Sequence, residues 1–228
     1  MTLAPGILPD RALLDALAQG WIRSGVDLEP GQIQPASLDL RLARRAWRLR
    51  ASFLPGPERT VTDCLDDDVV MHELDLEGGA VLETGCVYLA ELQEGLSLPE
   101  AVAAFANPKS STGRLDVFTR VIGDRSSAFD QVCAGYDGPL YVEISPRTFS
   151  VLARPGDRLV QVRLRAGEMT ALDAVTLSVD LKAGEGEPVG YRAKRHSPLV
   201  DLVKVGAHDP ERFWEPIYAP NGRIVLDP

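Results

Sequence analysis

The sequence predicts a mainly β chain opened by one short helix, and three observations carry that reading. Residues Ser37-Leu38-Asp39-Leu40-Arg41-Leu42 alternate strictly between polar and apolar, the two-residue period of a half-buried strand. Further apolar and β-branched runs recur at short intervals between turns such as Leu54-Pro55-Gly56-Pro57 and Arg154-Pro155-Gly156-Asp157. Helical periodicity, by contrast, is clear only near the start. A sandwich, jelly roll or barrel accommodates such a series.

The helix comes first in the chain. Pro9-Asp10 supplies a capping residue, Ala12, Leu13, Leu14, Ala16 and Leu17 follow at helical spacing, and Gly20 provides the stop. After residues 37–42, strands are predicted over residues 46–50, 72–76, 80–92, 116–122, 139–145, 148–152 and 158–165. The apolar run 101–106 is too short to separate helix from strand. Beyond Arg165 the pattern weakens: residues 176–181 read as one more strand and Lys182-Ala183-Gly184-Glu185-Gly186-Glu187-Pro188 as a linker. A main domain over residues 1–181 and an extension over 182–228 follow from this. In the extension, Val203, Val205, Phe213, Trp214, Ile217 and Tyr218 are the side chains able to pack on the main domain or on a partner. The end at Asp227-Pro228, just after Ile224-Val225-Leu226, suits a second module that begins and is cut short.

Composition removes several classes of function. The 33 acidic residues exceed the 24 Lys and Arg, for a formal charge of −9, so no general basic field draws in a nucleic-acid polymer. Any phosphate binding must be local. Cys64, Cys86 and Cys133 have neither disulfide-framework nor metal-ligand spacing, and read as reduced, partly buried thiols. No apolar run approaches the ~18 residues of a membrane span, and Pro5, Asp10 and Arg11 interrupt any signal-like start. The chain reads as cytoplasmic.

Two constellations carry chemistry. Lys109-Ser110-Ser111-Thr112-Gly113-Arg114 gathers two cations, three hydroxyls and a glycine, which suits phosphate oxygens but also an ordinary polar turn. It lacks the order of a Walker loop. In Gly138-Pro139-Leu140-Tyr141-Val142-Glu143-Ile144, strand alternation puts Leu140, Val142 and Ile144 on one face and Tyr141 and Glu143 on the other. Glu143 is then either a solvent-facing carboxylate or a partly desolvated one suited to proton transfer. The three histidines, His72, His196 and His208, complete no zinc motif of the H-x-E…P-C-x-x-C or H-E-x-x-H kind, so zinc chemistry is not expected.

Taken in order, four motifs resemble the dCTP deaminase branch of the trimeric dUTPase-like superfamily. Pro35-Ala36-Ser37-Leu38-Asp39-Leu40-Arg41-Leu42 is similar to "G-S-x-D-x-R-L", and residues 109–114 to "R-S-S-x-x-R". Gly135-Tyr136-Asp137-Gly138-Pro139-Leu140-Tyr141-Val142-Glu143 is similar to "G-[YWF]-x-G-x-[LIV]-x-x-E", and Pro155-Gly156-Asp157-Arg158-Leu159-Val160-Gln161 to "P-G-[DM]-x-[LI]-x-Q". The resemblance implies a distorted β jelly roll (β-clip), a homotrimer with sites between subunits, and hydrolysis of dCTP to dUTP and ammonia. It also implies magnesium held through the triphosphate, and no zinc.

Carried over by position, Glu143 is the general base, and Ser110 and Arg114 orient the water and the cytosine. Lys109, Ser111 and Arg114 face the phosphates, and Asp130 meets the deoxyribose; Thr112, Gly113, Tyr141, Val142 and Gln161 complete the implied substrate contacts. Three departures stand out. Lys109 replaces an Arg, a point charge for a bidentate fork. The stretch from Asp130 to Tyr136 is longer than the family's "D-P-G-[YWF]". Tyr191-Arg192-Ala193-Lys194-Arg195-His196 is the nearest candidate for the segment that closes over the triphosphate. These departures suit a longer two-module bacterial form, whose first module this chain resembles. Alternatives are a dUTPase-like diphosphatase, in which Asp130 activates water, and a catalytically silent nucleotide-binding or trimer-forming module.

Overall fold

The computed structural model describes residues 4–167, 184 and 186–218. A two-residue strand β1 (Gly6–Ile7) precedes helix α1 (Asp10–Ala18). Pro9, not Asp10, occupies the cap position; Asp10 lies in the first turn, where its carboxylate suits the positive end of the helix. Gly20, at φ 74°, ends the helix as expected.

Strands then dominate: β2 (Ile22–Ser24), β3 (Ile33–Gln34), β4 (Ser37–Leu40), β5 (Leu42–Leu49) and β6 (Val70–Asp75). The single strand expected over 80–92 is two, β7 (Ala80–Leu82) and β8 (Val87–Ser97). Gly85, at φ 78°, makes the turn that separates them. The undecided run at 101–106 is strand β9 (Val102–Pro108), because tertiary pairing rather than propensity decides so short a segment. The remaining elements are α2 (Ser110–Arg114), β10 (Val117–Gly123), β11 (Gln131–Val132), β12 (Asp137–Pro146), β13 (Val151–Ala153) and β14 (Val160–Ala166). Strands β15 (Gly190–Ala193), β16 (Val200–Asp201) and β17 (Trp214–Ile217) follow.

Two six-stranded sheets make the sandwich. One runs β11-β9-β14-β4-β3 with β1 beside β14; the other runs β10-β12-β8-β5-β6 with β2 beside β8. Their facing side chains form one core, in which Leu38, Leu40, Val160, Val162 and Leu164 of the first sheet meet Ala90, Leu92, Leu140, Val142 and Ile144 of the second. Each Leu, Val or Ile among them contributes about 1.5–3 kcal/mol by leaving water. The second sheet is also covered outside. Trp47, Leu49, Val61, Leu89, Ile122 and Tyr141 form a second cluster there, under Phe53, Leu54, Leu65 and Phe129. Strand β12 is therefore buried on both faces.

The C-terminal part folds back on the sandwich. Strand β16 adds to β13 in parallel, and β15 and β17 form a separate ribbon. Phe149, 1% exposed, receives Phe213 and Trp214 edge-on, with centroids 5.5 and 5.2 Å away. Arg154 reaches both carboxylate oxygens of Asp201, at 2.6 and 3.2 Å. Phe213 and Trp214 thus pack as the sequence suggested, whereas Val203, Val205 and Tyr218 stay exposed. The strand expected over 176–181, residues 182, 183 and 185 of the linker over 182–188 and the run Ile224-Val225-Leu226 lie outside the described residues. All three cysteines are free thiols; Cys64 is buried, Cys86 half-buried and Cys133 exposed. Among the described residues no helix is long and apolar enough to cross a membrane.

Candidate active site

Tyr136 sets the register of β12. Its hydroxyl donates to Pro139 O at 2.5 Å and accepts from the Asp124 N–H at 3.0 Å, which ties the end of β10 to the start of β12. A Cβ on Gly138 would stand 2.8 Å from that hydroxyl and so displace it, and one on Gly123 would press on it at 3.0 Å. Burial raises the Tyr136 phenol well above its ordinary value, so it keeps its proton and its donor role. With the two strands fastened this way, Arg120 of β10 stands directly opposite Glu143 of β12.

Glu143 is 2% exposed, which sets aside the solvent-facing reading: the outer face of this sheet is roofed over. Arg120 donates from Nε and Nη2 to Oε1 alone, at 3.0 and 2.5 Å. The other oxygen, Oε2, is buried and has no hydrogen-bond partner among the described residues. Arg120 is itself held by Ser52 Oγ at 2.7 Å and lies 3.7 Å from the Phe129 ring centroid. Asp130, at φ 60°, accepts the Val121 N–H at 2.8 Å beside this pair. Burial pushes its carboxyl above the ordinary range, Glu143 pushes the same way, and Arg120 opposes.

Residues 109–114 form not a loop but the single helical turn α2, with Lys109 at its cap. Lys109 ion-pairs with Asp39, a carboxylate 2% exposed in β4, so the motif at 35–42 anchors the motif at 109–114. Thr112 turns inward and donates to Leu159 O at 2.8 Å. Ser110, Ser111, Gly113 and Arg114 face outward. Gln161 accepts from Ser37 Oγ at 3.0 Å and pairs in register with Asp39 and Asn107. Three motifs thus converge on one sheet, while Glu143 belongs to the other. Among the described residues no hydrogen bond or ion pair joins 109–114 to Glu143.

Two implied contacts have little side chain to offer. Val142 is fully buried in the sandwich core, and Tyr141 is 4% exposed in the outer cluster, its phenol pushed up to about 12 by burial. Residues 191–196 run along β15 into a cleft of about 1450 Å³ that also meets Arg147 and Asp116, just past Arg114. Arg120 was not singled out from the sequence; its signal is a strand position on the same outer face as Glu143, legible only once β10 and β12 are paired. The Arg of the 35–42 motif, Arg41, is structural. It is 2% exposed and bound to Glu94 at 2.7 Å and to Asp27 O at 3.0 Å.

Residues 4–168 match the family profile of the 2'-deoxycytidine 5'-triphosphate deaminase N-terminal domain, and residues 150–228 match that of its C-terminal domain. The chain belongs to the dCTP deaminase family. Among similar dCTP deaminases, one from Methanoculleus marisnigri, named "dCTP deaminase, dUMP-forming", is 34% identical over 142 residues, covering 60% of this chain and 68% of the relative. The dCTP deaminase of Halorubrum lacusprofundi is 31% identical over 158 residues, covering 68% and 75%. The crystal structure of the dCTP deaminase from Agrobacterium tumefaciens superposes with a TM-score of 0.91 at 47% identity, covering 99% of this chain and 74% of that one. This likeness establishes the β-rich fold with its short N-terminal helix as that of a dCTP deaminase.

Proposed function

We propose that the chain is a hydrolytic dCTP deaminase in which Glu143 is the general base. The observation that carries this is a buried carboxylate, one oxygen held by Arg120 and the other without a partner, on the motif strand of a dCTP deaminase family chain. Glu143 takes a proton from water as the oxygen bonds to cytosine C4. It passes that proton to ring N3, then takes the proton of the new C4 hydroxyl and gives it to the amine, so that the C4–N4 bond breaks as the C4 carbonyl forms and dCTP and water become dUTP and ammonia. Ser110 and Arg114 orient the water and the base, and with Ser111 they supply outward donors for phosphate oxygens. Lys109 adds its charge from the cap of α2, and Asp130 and Gln161 line the nucleotide's path.

The outward groups of α2 are hydroxyls and a cation, donors to phosphate rather than metal ligands. They fit magnesium that arrives on the triphosphate and is not held by the chain. That no hydrogen bond or ion pair joins α2 to Glu143 among the described residues supports a site completed between copies, as in a homotrimer. The division into 1–181 and 182–228 and a cytoplasmic setting belong to the same reading.

The test is ammonia release from dCTP with magnesium, with pyrophosphate followed separately. Glu143→Gln is expected to lower kcat by about 10²–10⁴-fold while dCTP binding persists. Retained turnover in that variant overturns the assignment. A second reading, in which pyrophosphate leaves as well, is favoured by the "dUMP-forming" name of the Methanoculleus marisnigri relative. Ammonia and pyrophosphate in equal amounts support it. Pyrophosphate from dUTP without ammonia from dCTP indicates a diphosphatase, and saturable binding without turnover a silent module.

A further inference from the structure

We infer that Arg120 is a positioning residue for the deamination, one that fixes Glu143 so that Oε2 and not Oε1 takes the proton from the attacking water. The inference rests on the reading of Glu143 as the base. Both guanidinium contacts fall on one oxygen, at 3.0 and 2.5 Å, although a guanidinium fork commonly engages both oxygens of a carboxylate, as Arg154 does with Asp201. Two charge-assisted donors make Oε1 a poor proton acceptor, whereas Oε2 keeps its lone pairs. A buried carboxylate oxygen without a donor costs free energy, so native proteins seldom leave one unless a ligand or a reacting group meets it.

The clamp is itself braced. Ser52 Oγ takes Nη2 at 2.7 Å, and the Phe129 and Phe118 rings lie 3.7 and 5.3 Å from the guanidinium carbon, so the cation has little freedom to swing to Oε2. A lysine cannot reproduce this, because an ammonium offers no planar fork to stack and aim at once. Arg120 does not touch the reacting atoms; it acts through Glu143.

The test compares Arg120→Met, Arg120→Lys and Glu143→Gln in the full chain, with kcat, KM for dCTP and thermal stability. In Arg120→Met, kcat is expected to fall about 10- to 100-fold with KM changed by less than about threefold, as for loss of orientation rather than of binding. Arg120→Lys keeps a cation beside Oε1 without the planar fork and should leave kcat depressed, with KM again near the parent. If either folded variant keeps the parent kcat, or loses activity only in proportion to its unfolded fraction, the inference is overturned. Should the methionine variant not fold, the lysine variant carries the decision alone through its kcat. Turnover in Glu143→Gln would instead remove the base assignment, a failure separate from that of Arg120.

Discussion

Asp39 and Glu143 are equally buried, and each is held by a cation from another element. What remains of each carboxylate differs. Lys109 closes the Asp39 charge and fixes the start of α2, so Lys109→Met should cost about 1–3 kcal/mol in urea unfolding, less than for a fully buried pair because the lysine is a quarter exposed. Asp130 behaves in the opposite sense. Burial raises its folded pKa, so the native state holds that proton more tightly than the unfolded chain, and stability falls as pH rises through the window from the ordinary to the raised value. Asp130→Asn keeps an acceptor for the Val121 N–H and should melt at or above the parent at pH 7, with the difference vanishing below about pH 4. An Asp130→Asn variant that melts below the parent at pH 7 would contradict this.

Element by element, alternation correctly assigned the inner face of β12 to Leu140, Val142 and Ile144, because a two-residue period is a property of the strand itself. Alternation was silent on what covers the other face. A strand with both faces buried needs a second layer, here brought from residues 53–65 and Phe129, distant in sequence. The turn that aims β12 is equally specific: Gly138→Ala would press a methyl against the Tyr136 hydroxyl, which two hydrogen bonds hold in place. A loss of about 1–3 kcal/mol is expected from overpacking, read as a lower midpoint in denaturant. The 109–114 motif, legible as a polar turn, is a helical turn because Lys109 and Thr112 both bind Leu159 of the neighbouring segment.

For the whole molecule, Phe149 joins the sandwich to the C-terminal ribbon. Phe149→Ala should cost about 3–5 kcal/mol and increase hydrogen exchange in residues 190–217. The Arg154 guanidinium holds the Asp201 carboxyl below the ordinary range, so its contribution is present above the ordinary value and lost as pH falls through the depressed one. Protection of β16 should therefore drop in acid, and at neutral pH in Asp201→Asn. At the level of assembly, mixing inactive Glu143→Gln with inactive Ser110→Ala should restore activity at about a quarter of the sites if they lie between copies, by random association. No recovery would place the whole site within one chain.

Local chemistry is what the sequence determined unaided. The strand alternation, the helix stop at Gly20 and the order of four motifs were legible because each depends on residues close together in the chain. The tertiary structure decided everything that depends on register between distant strands. It showed that Glu143 is buried rather than solvent-facing, and that its partner is Arg120 across the β10–β12 pair. It also showed that Asp39 anchors Lys109 from another motif. Pairing of that kind is fixed by packing on both faces of a sheet, and one-dimensional periodicity does not encode which strands meet.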